Sequence, residues 1–125
     1  MNANLSVLSF QLHKSYKILF RYLVTEFQAL QDIAKQVHQE NPSFMYAMYK
    51  DLVFNRTESE KMLDQEDTFD YIIILHAMTI RLPEIAQSIH RPKSIFEKVL
   101  IIKLLSLHQI CALCEQDLKM QVEKL

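Results

Sequence analysis

The sequence predicts an all-α bundle of four to five helices in one domain spanning residues 1–125, and three observations carry that expectation. The chain contains no glycine, where average usage of about 7% would supply roughly nine. Apolar residues recur at steps of three and four over long stretches, the repeat of an amphipathic helix. Boundary residues gather at a few places: Asn41-Pro42, Asn55 to Thr57, and Pro92 to Ser94. Glycine supplies the positive φ of tight hairpins and the close backbone approach of phosphate-cradling loops. Its absence removes P-loops and dinucleotide-binding turns and disfavours a multi-hairpin β fold.

The first helix is read from Asn4 or Ser6 to about Gln39. Its stripe is Leu5, Leu8, Leu12, Tyr16, Leu19, Leu23, Phe27, Leu30, Ile33 and Val37. Asn41-Pro42 ends it, because a residue before proline is pushed out of the α region. The same pair opens a short second helix from Pro42 to Phe54, ended by Asn55. Thr57-Glu58-Ser59-Glu60 then reads as a capping box, leading into an acidic stretch and YIIILHAMTI. Phe69, Ile72, Ile73, His76 and Ile80 share one face of this third helix. Pro83 is expected to kink or break it, after which the face moves to Leu82, Ile85, Ala86 and Ile89. Ser94 to Glu97 forms a second capping box opening the fourth helix. Its stripe is Phe96, Leu100, Leu107, Cys111, Cys114, Leu118 and Leu125.

Composition narrows the function. Half of the residues are hydrophobic, and 14 Lys and Arg stand against 15 Asp and Glu, for a formal charge of −1. Nucleic-acid binding draws on a basic excess that displaces counterions from phosphate, so no nucleic-acid partner is expected. The N-terminal residues lack a basic region ahead of an apolar run, and Val99 to Cys114 is interrupted by Lys103, His108 and Gln109. The expectation is therefore a protein without a secretory signal or membrane span. Two cysteines fit a reducing, cytoplasmic compartment, and export by a specialised secretion system leaves no mark in such a sequence.

Chemistry-bearing residues are few. His108, Cys111 and Cys114 space three soft ligands of the kind zinc prefers. Both cysteines fall in the apolar stripe, however, and no second Cys pair completes a site. His76 sits mid-helix, as the phosphoacceptor of histidine phosphotransfer domains does. Those domains carry lysine three residues on and small residues nearby, where this chain has Thr79 and no glycine. A hydrogen bond within the core or at its edge is the expected role of His76. No repeated Glu-x-x-His pair and no EF-hand loop occurs. No catalytic residue, cofactor or metal site is assigned, and a metal or phosphorelay protein stands as the alternative class.

Surfaces say more. Off its main stripe, helix 1 carries Val7, Phe10, Ile18, Phe20, Tyr22 and Val24, and helix 4 carries Ile101, Ile102, Leu105, Leu113 and Met120 on the side away from Cys111. Contiguous apolar surface beyond the needs of one core marks an interface. Phe10, Ile18, Tyr22, Ile101, Leu105 and Leu113 are the candidate self-association residues of a homo-oligomer. Helix 2 is rich in Met and Tyr, which suit adaptable contact surfaces. Met45, Tyr46, Met48, Tyr49 and Val53 are its candidates for binding a larger protein partner. The expected role is a non-enzymatic inhibitor, adaptor or chaperone.

Overall fold

The computed structural model describes the backbone of residues 2–40 and 46–124 and the side chains of 14–40 and 47–124. The fold is all-α, and the described residues form four helices: α1 (Asn2–Glu40), α2 (Tyr46–Lys61), α3 (Thr68–Gln87) and α4 (Ile95–Glu123). No strand occurs among the described residues, and no helix there is long and apolar enough to cross a membrane.

The helices pack in chain order around a ring, α1 on α2, α2 on α3, α3 on α4, and α4 back on α1. Side-chain contacts give their directions. The Arg56 guanidinium meets Gln28 at 3.1 Å while the Lys35 ammonium lies over the Tyr49 ring, so numbers rise on α1 as they fall on α2. Short connections make the other consecutive neighbours antiparallel as well. Arg81 reaches from α3 to Asp51 on α2 at 2.8 Å. Inside the ring, Tyr16 stacks on Tyr71 with centroids 6.0 Å apart, and Phe20 tilts against the same ring at 5.5 Å.

Each helix buries a row alternating three and four residues apart. The rows are Tyr16, Phe20, Leu23, Phe27, Leu30, Ala34 and Val37 on α1, and Met48, Leu52, Asn55, Ser59 and Met62 along and just beyond α2. Tyr71, Leu75, Met78, Leu82 and Ile85 follow on α3, and Glu97, Leu100, Leu104, Leu107, Cys111, Glu115 and Leu118 on α4. The mean spacing of 3.5 keeps one seam facing its neighbours along the whole helix, as in coiled-coil-like bundles.

Three expectations change. Phe20 belongs to the α1 seam and is fully buried, whereas Leu19 and Ile33 flank it; at adjacent apolar pairs the period alone does not choose. The α3 face is inverted, since Phe69, Ile73 and Ile80 point outward and Tyr71, Leu75 and Met78 point in. YIIILHAMTI is apolar on both sides, and the inward phase is the one that continues unbroken into Leu82 and Ile85. Pro83 accordingly sits inside one continuous helix. Burying Leu82, Ile85 and Ala86 around it offsets the ~3 kcal/mol that a mid-helix proline costs.

The third change concerns α2, which neither ends at Asn55 nor restarts at Thr57. Asn55 donates to the Asp51 carbonyl (2.7 Å), Thr57 to that of Val53 (3.0 Å) and Ser59 to that of Asn55 (2.8 Å). Polar side chains that bond back four residues are satisfied inside a helix and need not cap one. The cap lies later, where Asp67 accepts from the Phe69 amide at 2.9 Å and starts α3. The Ser94–Glu97 capping box is present as read.

Candidate interaction surfaces

A helix at the corner of a bundle needs one apolar seam; α4 has two. Opposite its buried row, Ile95, Ile102, Leu105, Leu113 and Met120 are all exposed, and Ile101 is half-buried beside them. On α1, Ile18 and Tyr22 lie one turn apart on the outer side and are exposed as well. The side chain of Phe10 lies outside the described residues. Five of the six self-association candidates are thus placed, and four of them stand on open surface. Phe69, Ile73 and Ile80 extend the exposed apolar surface to α3, which the inverted face assignment had hidden. Their spacing of four and seven was visible in the sequence as the second solution to the helix phase.

Tyr49 and Val53 on α2 are half-buried and line an open depression of about 430 Å³, together with exposed Phe54 and the stem of Lys61. The Lys35 ammonium lies 5.8 Å from the centre of the Tyr49 ring, holding one wall of this depression. Met48 is a correction to the expected surface: it is buried in the core, on the seam shared with Leu52. Met45 falls outside the described residues. Tyr46 opens α2, with its side chain likewise outside them.

The chemistry-bearing residues do not converge. His108, Cys111 and Cys114 step three residues at a time, and each step rotates the side chain about 60° around the helix. Among the described residues, no three His, Cys, Asp or Glu side chains come together so as to hold a metal. Burial, reinforced by Cys114, pushes the Cys111 thiol up to about 12. It is therefore a protonated core group at neutral pH, the opposite of a reactive thiolate.

The side chain of His76 is exposed, with Nδ1 2.8 Å from Oε2 of Glu115 on α4. The same carboxylate oxygen receives the Lys119 ammonium at 2.9 Å. Glu115 is nearly buried, so the three residues tie α3 to α4 at the edge of the core.

No family model, no curated protein and no solved structure matches the chain. The functional reading therefore comes from these surfaces alone.

Proposed function

We propose that this protein is a non-enzymatic helical interaction module that acts as inhibitor, adaptor or chaperone of a larger protein by occupying its surface. The observation that carries this reading is the open depression on α2, lined by Tyr49, Val53 and exposed Phe54, and the second apolar row of α4, opposite the core, supports contact with a further chain. Each large aliphatic side chain left in water forgoes roughly 1.5–3 kcal/mol of burial, and several aligned on one helix favour a covering partner. The outer faces of α4 and α1 are assigned to contact with a second copy of the chain. The depression on α2 is assigned to the larger partner, with Tyr49 and Val53 as aromatic and aliphatic anchors.

The test is capture from the native host lysate with wild-type protein and with Tyr49→Ala/Phe54→Ala. The expected result is one larger protein retained by the wild type and lost by the variant, with helicity by circular dichroism unchanged. Equal retention by both forms would clear α2 of the role, and no retained protein at all would defeat the reading.

A further inference from the structure

Ile95, Ile102, Leu113 and Met120 stand on the outer side of α4, each more than half exposed. Successive members are seven, eleven and seven positions apart. At 3.6 residues per turn, each of those steps returns to nearly the same azimuth, so the four fall within about 20° of arc over roughly 37 Å. Exposed Ser106 and Gln109 occupy the middle of the row. None of the six carries a charge.

The row reads the same from either end. About the midpoint between Leu107 and His108, Ile95 mirrors Met120, Ile102 mirrors Leu113, and Ser106 mirrors Gln109. An isologous interface requires this self-complementarity, because one patch must serve both copies. We propose that the occupant of this face is a second copy of the chain, with the two α4 helices packed antiparallel about a two-fold axis at that midpoint.

In this arrangement Ile102 packs on Leu113 of the second copy, and Ile95 packs on its Met120. The Ser106 hydroxyl faces the amide of its Gln109, and every contact occurs twice. Apolar groups meet apolar groups, and the two polar positions meet each other near the axis. A single strip about 37 Å long and 10–12 Å wide covers roughly 400 Å² on each copy. The total of about 800 Å² lies at the low end of specific interfaces, so the pair is reversible and concentration-dependent. The proposal rests on the reading of the outer faces as contact surfaces, and it leaves the α2 depression open.

Sedimentation velocity over a concentration series tests it, using the full chain as wild type, Ile102→Lys, Leu113→Glu, and the double variant Ile102→Lys/Leu113→Glu. All substitutions are at exposed positions, and circular dichroism checks that each variant is folded. The wild type is expected to move from monomer to dimer as concentration rises. Each single substitution is expected to raise the midpoint at least tenfold. The double variant is expected to recover most of that loss, because the new ammonium and carboxylate face each other only in the antiparallel register.

A wild type that stays monomeric, single variants that dimerise as well as wild type, or a double variant no better than the singles would each overturn the pairing. A monomeric wild type that still captures a partner through α2 would sink this inference and leave the proposed function standing. Lost capture with an intact dimer would do the reverse.

Discussion

The Tyr16 hydroxyl donates to the backbone carbonyl of Cys114 at 2.9 Å, joining α1 to α4 across 98 positions of chain. The ring beneath it stacks on Tyr71 of α3, so one side chain links three helices. A buried hydroxyl with a partner contributes modestly, while an orphaned carbonyl costs more. Tyr16→Phe is expected to lower stability by about 1 kcal/mol, measured by urea unfolding.

The same residue sets an alkaline limit. Burial, and then the neighbouring Asp117, raise the Tyr16 phenol well above its ordinary value. A raised value means that the folded state holds the proton more tightly than the unfolded chain does. The contribution is therefore complete below the unfolded value of about 10 and is lost as pH climbs beyond it. Thermal melts from about pH 9 to about pH 11 should show a steep loss for wild type and a shallower one for Tyr16→Phe. Tyr71 and Tyr22 are shifted in the same direction, so the slope should flatten without vanishing.

Glu97 is the strongest local device at the start of α4. Its carboxylate accepts from the amides of Lys93 (2.8 Å) and Ser94 (2.9 Å), while the Ser94 hydroxyl accepts from the Glu97 amide. Burial pushes this carboxyl up, but the donated amides outweigh it and hold the group below the ordinary glutamate value. Its stabilising effect is present above that ordinary value and fades as pH falls through the folded one. Glu97→Ala is expected to cost about 1–2 kcal/mol at neutral pH and less under acid, read from denaturant midpoints at the two conditions.

Much of this was legible in advance, and the failures have two causes. The Ser94–Glu97 box is a local pattern with a local partner, and it survived intact. The outward aliphatic row of α4 was equally readable, because polar residues separate it from the core row. Wherever a helix was apolar all round, periodicity offered two phases and could not choose. Leu19 against Phe20 is one case, and Ile73 against Leu75 is another. On α1 the choice follows a distant ring, Tyr71 of α3, against which Tyr16 and Phe20 pack. Asn55, Thr57 and Ser59 misled for a different reason. Their side chains suit a cap or a back-bond equally well, and packing of Leu52 and Met62 decided for continuation.

Arg91 sits at φ 54° in the connection to α4, a left-handed conformation in a chain without glycine to take it. A residue with a Cβ pays roughly 1–2 kcal/mol there, against about 0.5–1 kcal/mol of extra unfolded-state entropy for glycine. Arg91→Gly should therefore raise the urea midpoint modestly, equivalent to about 1 kcal/mol or less. A drop in the midpoint would show that the arginine side chain contributes more than its backbone costs.

The two cysteines should differ in reactivity. Cys111 is wholly buried and protonated, while Cys114 is half-buried next to it. Iodoacetamide at neutral pH should label Cys114 slowly and Cys111 only at the rate of unfolding, followed by peptide mass mapping. Rapid native labelling of Cys111 would reopen the nucleophile reading.

The buried row of α2 holds Asn55 and Ser59 at positions where α1 and α3 present aliphatic or aromatic side chains. With Met48, Leu52 and Met62 as its main apolar holds, α2 has the least to lose by leaving. This composition predicts an order of disassembly. The shortest helix is expected to open first, with α1, α3 and α4 still joined through Tyr16, Tyr71 and Cys114. Amide exchange in α2 should outpace that in the other three helices, and any ligand that competes for the inner face of α1 would enter by that door.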